Sequence, residues 1–186
     1  LDKFLYKTVL KYFQKINDWY PFSKFAILAE LKIADSHFFL KEYEEASYSY
    51  REFESLHPKN EAIPYVIYQS AMCDYNRMDT VDRDQGSTKR ALETFERLNA
   101  QFPDNPEREA VNEKITECQA NIAGNYFYIA KFYFKKKNYL AAMNRFEMIV
   151  ENYPETDVYQ EAFEYVARCK TRLKEQVKDE GIMAPL

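Results

Sequence analysis

Two stretches of this chain align without a gap. One is ADSHFFLKEYEEASYSYREFESLHP, from Ala34 to Pro58; the other is AKFYFKKKNYLAAMNRFEMIVENYP, from Ala130 to Pro154. In each, a first alanine (Ala34, Ala130) is followed by a second (Ala46, Ala142), and an aromatic ring stands three positions before that second alanine (Tyr43, Tyr139). Another ring stands four positions after it (Tyr50, Phe146), and a proline closes the stretch (Pro58, Pro154). Repetition constrains the fold more than composition does, because a unit too small to bury its own apolar face must stack on its neighbour. Small residues let two antiparallel helices approach closely, and the later aromatic fills the space toward the next pair. The proline stops the second helix, because it lacks an N–H and restricts the residue before it.

These spacings are those of the tetratricopeptide repeat, a helix pair of about 34 residues. A third copy fits with an insertion: Ala71 lies on its first helix, and Ala91, Phe95, Leu98 and Pro103 continue its second. The extra residues fall in NRMDTVDRDQGST, residues 76 to 88, and predict an enlarged loop ending in an N-cap at Ser87 or Thr88. Val9, Phe13, Ile16 and Pro21 match the second helix of a partial copy. Residues 158 to 176, with Ala162, Tyr165, Val166, Cys169 and Leu173 on one stripe, match a further first helix, and GIMAPL reads as a frayed tail. One helix is predicted to be long. Asn105 caps it, Pro106 suits its first position and Glu107 complements its dipole. Val111, Ile115, Cys118, Ile122, Tyr126, Ile129 and Tyr133 then recur at three- and four-residue steps. About 30 residues make a strut of roughly 45 Å, with two helices meeting at a kink near Gly124 as the alternative. Only 3 glycines leave little punctuation for strands. The expected fold class is all-α: a tetratricopeptide-like α-solenoid of antiparallel helix hairpins with one long helix. It is expected to form one superhelical domain over 1–186, with copies at about 1–23 (partial), 24–60, 61–105, 106–156 and 157–180 (partial).

Few residues invite chemistry. The net charge of -4 and the lack of a basic stripe argue against a nucleic-acid partner; Lys135, Lys136 and Lys137 read as a solvated turn. Cys73, Cys118 and Cys169 are far apart and form no C-x-x-C pair, so buried structural thiols are expected. His37 and His57 sit in the repeat pattern as packing residues, and no phosphate-binding glycine loop occurs. DTVDRDQ gathers Asp79, Asp82, Arg83, Asp84 and Gln85 but lacks the glycine and terminal glutamate of a calcium loop; a loop pinned by Arg83–carboxylate bonds is the simpler reading. No catalytic residue, metal or cofactor is assigned, and no stretch approaches the ~18 apolar residues of a membrane span. The 16 tyrosines and 14 phenylalanines exceed what a helical core needs. First helices line the concave face of this repeat type, which makes Leu28, Leu31, Asp35, Phe38, Phe39, Tyr65, Tyr68, Met72 and Tyr75 a candidate groove for an extended apolar peptide. The same rings could instead close the superhelix on itself.

The order of parts is more specific than the repeat. YPFSKFAILAELKIADSHFFLKEYEEA, then DTVDRDQ, then the long helix and NYLAAMNRFE, resembles the BamD/ComL-like lipoproteins of the bacterial β-barrel assembly machine, over residues 5 to about 175. The resemblance implies a scaffold at the periplasmic face of the outer membrane, tethered by a lipidated N-terminal cysteine that is expected upstream of Leu1. It implies that the rear half, with Arg145 in NRFE, docks on a POTRA domain of the barrel-forming subunit. The front half would engage the C-terminal signal strand of unfolded barrel proteins. Another periplasmic repeat scaffold, such as a Tol-Pal coordinator, is the competing expectation, and the insertion and long helix argue against it.

Overall fold

The computed structural model describes residues 3–21 and 23–179, and among them the only regular structure is α-helix. Eight helices follow in chain order: α1 (Lys3–Trp19), α2 (Lys24–Phe39), α3 (Tyr43–Leu56), α4 (Ile63–Tyr75), α5 (Gly86–Gln101), α6 (Arg108–Lys135), α7 (Tyr139–Asn152) and α8 (Tyr159–Asp179). The pairs α2–α3, α4–α5 and α6–α7 are the hairpins expected from the repeat. GIMAPL lies outside the described residues. The chain divides into two compact units: Leu1–Met78 with Gly86–Ile115, and Asp79–Gln85 with Thr116–Leu186.

In the first unit, α1 packs on α2, α2 on α3, α3 on α4 and α4 on α5. Ala34 and Ala46 are fully buried, as the close-approach argument requires, and Tyr50 and Phe53 fill the space beyond them. In the second unit, Ala130 and Ala142 take the same role, with Phe146 and Ile149 at the positions of Tyr50 and Phe53. The hairpin turns also match. Lys41 and Lys137 occupy corresponding positions, and both are left-handed, at φ 64° and 62°. The ring pairs beside them correspond too: Phe38 with Tyr43 at 5.6 Å and Phe134 with Tyr139 at 5.2 Å, both at 66°.

The two copies differ in their charges. Arg51 on α3 pairs with Asp74 on α4 at 3.1 Å, and Arg90 holds the same carboxylate at 2.9 Å. At the corresponding positions of the second unit, Glu147 on α7 pairs with Lys170 on α8 at 3.6 Å, so the signs are exchanged.

Three sequence expectations need correction. The helix after the insertion begins at Gly86, so neither Ser87 nor Thr88 is its N-cap; Ser87 instead accepts a hydrogen bond from Arg90, and Thr88 is buried. The long helix runs unbroken through Gly124 for 28 residues, or about 42 Å, as the strut reading expects, but its start differs. Asn105 does accept a hydrogen bond from the Glu107 N–H, but the helix begins at Arg108, two residues after the Pro106 expected at its first position. Finally, the histidines do more than pack. The His57 ring lies 4.9 Å from Phe53 and its Nε2 is 2.6 Å from Glu30, while His37 Nδ1 is 2.8 Å from Glu42.

Candidate functional site

The predicted groove residues of the first unit come from α2 and α4, and they divide into two groups. Leu28, Phe39 and Tyr65 are exposed; Leu31, Phe38, Tyr68, Met72 and Tyr75 are half-buried. The half-buried rings make intramolecular contacts. Phe38 sits edge-on to Phe39 and Tyr43, and Tyr68 and Tyr75 both lean on Phe95. Lys114 reaches Tyr75, its ammonium 4.7 Å from the ring centre and 3.2 Å from the hydroxyl. An occupant would therefore meet mainly Leu28, Phe39 and Tyr65. Phe25, three residues before Leu28 on α2 and also exposed, extends this apolar strip; the helical step from Leu28 would have found it.

Asp35 plays a different part. It is 5% exposed and accepts hydrogen bonds from the Tyr50 and Tyr65 hydroxyls, each at 2.8 Å, and from Lys32 at 2.8 Å. Burial first, and then the Asp35 charge, push both tyrosines far above the usual phenol range, so they remain donors at any working pH. Asp35 thus ties α2 to α3 and α4 and positions the strip.

The insertion loop belongs to the second unit and is clasped onto α6. Asn125 Nδ2 donates to the Val81 carbonyl at 2.7 Å, and Asn121 Nδ2 to the Asp79 carbonyl at 3.1 Å. Between these two asparagines stands Gly124: a Cβ there would lie 2.8 Å from Val81 Cγ1, so glycine is what lets the loop approach. Gln85 is buried and donates to the carbonyls of Thr80 and Arg83 at 3.1 and 3.2 Å. The loop is therefore pinned by side-chain amides on backbone carbonyls. Arg83 does not pin it, because its guanidinium is exposed and comes no closer than 4.0 Å to Asp82. Asp82 is held below the usual carboxylate range by the Thr80 hydroxyl and its own backbone N–H. Asp84 is exposed. Among the described residues no cluster of His, Cys, Asp or Glu is arranged to hold a metal.

Arg145, on α7, is half-buried. One guanidinium nitrogen donates to the Ala141 carbonyl at 3.2 Å, and the group lies 4.6 Å from the Tyr133 ring centre. No carboxylate among the described residues pairs with it; Glu147 is engaged with Lys170 instead. Stacking and one backbone bond thus hold the planar fork in place while leaving most of its donors for a partner. The second unit also contains an open groove of about 510 Å³, lined by Val81, Gly124, Phe127, Tyr128, Phe132 and Val158 together with Lys131 and Lys135. Lys131 pairs with Glu161 at 3.0 Å and lies over Phe127 and Tyr165. Sequence reasoning missed this groove, although the exposed Tyr128 and Phe132 stand one helical turn apart.

The chain matches the family described as YfiO, outer membrane lipoprotein, over residues 1–181. Among similar curated proteins is the outer membrane protein assembly factor BamD of Rickettsia prowazekii (strain Madrid E), 36% identical over 84% of this chain and 62% of the relative. The protein of the same name in Caulobacter vibrioides is 28% identical over 97% of this chain and 60% of the relative. That of Neisseria meningitidis serogroup A is 23% identical over 84% of this chain and 62% of the relative. The chain thus spans about three fifths of the length of these relatives.

Proposed function

This chain belongs to the YfiO family of outer membrane lipoproteins, and from that premise we propose that it is a non-enzymatic scaffold for assembling β-barrel proteins into the outer membrane. The relatives' shared name, assembly factor, supports the reading. It works at the periplasmic face, held there by a lipid anchor outside this sequence. The second unit docks on a POTRA domain of the barrel-forming subunit, with Arg145 as the central contact. The first unit takes the C-terminal strand of an unfolded barrel protein along Phe25, Leu28, Phe39 and Tyr65.

The observation that carries the docking reading is Arg145 itself. A guanidinium stacked on Tyr133, bonded to Ala141 and paired with no carboxylate among the described residues is preorganised for planar two-point bonding to a partner's carboxylate. Loss of a close interfacial charge pair costs about 2–5 kcal/mol, so Arg145→Glu is expected to weaken docking on the isolated POTRA domain by at least thirtyfold, taking the low end of that range at about 1.4 kcal/mol per factor of ten. Arg145→Lys should recover only part of it, and a carboxylate-to-arginine change on the partner should rescue Arg145→Glu. Titration calorimetry checks this: wild-type affinity in Arg145→Glu removes Arg145 from the interface. For the first unit, Leu28→Ser with Phe39→Ser should weaken binding of an aromatic-ended peptide and leave helicity intact. Phe38 and Tyr68 make poorer probes, because they are half-buried, whereas the Phe39 ring, though stacked on Tyr6, is half open to solvent.

A further inference from the structure

Helix α1 presents a surface that neither the core nor the proposed docking sites use. Lys3, Lys7, Lys11 and Lys15 stand one turn apart along it and are all exposed, against a single aspartate, Asp18. Tyr12 and Trp19 flank this stripe at 64% and 68% exposure. The Lys15 ammonium lies 5.9 Å from the Tyr12 ring centre and 6.0 Å from that of Trp19, so the three share one face. The opposite face, with Tyr6 stacked on Phe39, is turned toward α2.

The repeat register shows which face this is. Val9, Phe13 and Ile16 of α1, with Pro21 beyond its end, correspond to Ala46, Tyr50, Phe53 and Pro58, so Lys7, Lys11, Lys15 and Trp19 correspond to Glu44, Tyr48, Glu52 and Leu56. In α3, which has its partner helices on both sides, all four of those residues remain exposed. The lysine stripe is therefore the outward face of a second helix, which a preceding first helix would leave open. Where α3 carries two glutamates in that register, α1 carries lysines, in a chain whose net charge is -4.

We propose that this outward face of α1 rests on an anionic lipid surface, its lysines on headgroup phosphates and Trp19 and Tyr12 at the headgroup level. A convex helix face offers no groove for a peptide. Lysines interleaved with tryptophan and tyrosine are the chemistry of a helix lying in a membrane interface, where amphipathic rings sit among headgroups and long lysine stems reach phosphates. No helix among the described residues is long and apolar enough to cross a membrane, so the contact lies on the surface. The proposal goes beyond the docking reading and does not depend on it: Arg145 can fail as a dock while α1 still binds lipid, and the reverse.

Trp19 is the only tryptophan, so its emission reports this face directly. Vesicles of phosphatidylethanolamine and phosphatidylglycerol should shift that emission to the blue when added to the full chain, and added salt should reverse the shift. Vesicles of phosphatidylcholine alone should leave it unchanged. Each lysine near an anionic surface is worth about a fivefold change in partitioning, so Lys7→Glu, Lys11→Glu and Lys15→Glu together, which remove three attractions and add three repulsions, should weaken partitioning by more than about a hundredfold. All three are exposed, so helicity by circular dichroism should match the wild type. The proposal is overturned by an unmoved Trp19 spectrum with anionic vesicles, by an equal shift with neutral ones, or by full partitioning of the triple variant. It is equally overturned if polyglutamate moves Trp19 and anionic vesicles do not, which would assign the face to an acidic protein.

Discussion

Gly124→Ala is expected to change the sign of its effect with the residue at position 81. In the wild-type background the new Cβ would lie 2.8 Å from Val81 Cγ1, well inside the ~3.5–4.0 Å of a carbon–carbon contact. Val81 must move, and with it the carbonyls that Asn125 and Asn121 hold at 2.7 and 3.1 Å. Overpacking costs ~1–3 kcal/mol, and each weakened hydrogen bond ~0.5–1.5 kcal/mol. Against this, alanine in a helix interior is favoured over glycine by ~0.8–1.0 kcal/mol. The net expectation is a destabilisation of about 1–2 kcal/mol. With Val81→Ala in place, the clashing Cγ1 is gone and the remaining approach, to Val81 Cβ at 3.6 Å, is an ordinary contact. The same Gly124→Ala change should then stabilise by about 1 kcal/mol through helix propensity alone. Urea denaturation of the four proteins of this cycle, followed by circular dichroism, measures a coupling of about 2–3 kcal/mol from the midpoints, provided the slopes agree. Equal stabilisation by Gly124→Ala in both backgrounds would show that the glycine has nothing to do with the loop, and the clasp argument would fall.

Three further outcomes are expected. Asp35→Ala should destabilise by about 2–3 kcal/mol in urea denaturation, because it leaves the buried Tyr50 hydroxyl without its acceptor, whereas Tyr50→Phe should cost only about 1 kcal/mol. Stability should be independent of these groups up to the ordinary thiol range and fall steadily above it: burial pushes Cys73 up to about 12 and Cys169 up to about 11, and Tyr50 and Tyr65 are also raised. The unfolded chain gives up these protons first, so the loss begins near the thiols' unperturbed pKa of about 8.5 and continues toward the folded values; a flat urea midpoint between the two would contradict it. Lys137→Gly should stabilise by about 1 kcal/mol by relieving a left-handed φ of 62°, and Lys41→Gly should behave alike; thermal melts check both.

The repeat was legible because its signal is local. Ala34 with Ala46, Ala130 with Ala142, the ring that follows each pair and the closing proline each lie within a single helix hairpin. The loop's place in the sequence was legible for the same reason. What held it was not, because Asn121, Gly124 and Asn125 are some forty positions from Val81 and look like an ordinary helical stretch. Asp35 was misplaced on the groove by periodicity, since its role depends on Tyr50 and Tyr65, fifteen and thirty residues on. Arg145 enters the expectation through the NRFE resemblance; the Tyr133 ring that fixes it comes from the preceding helix. Helical spacing names the face of a residue, and the neighbour arriving from elsewhere decides what that face does.

The exchanged signs at Arg51–Asp74 and Glu147–Lys170 bear on how the chain finds its own fold. Two hairpins with the same turns, ring pairs and alanine crossings could trade helices during folding, since shape alone does not tell them apart. Charge does. Setting α3 against α8 would bring Arg51 to Lys170, and setting α7 against α4 would bring Glu147 onto Asp74, a carboxylate that is 2% exposed and cannot be left to water. Each wrong pairing carries a like-charge contact where the right one carries an ion pair, so charge adds to shape in telling the two hairpins apart.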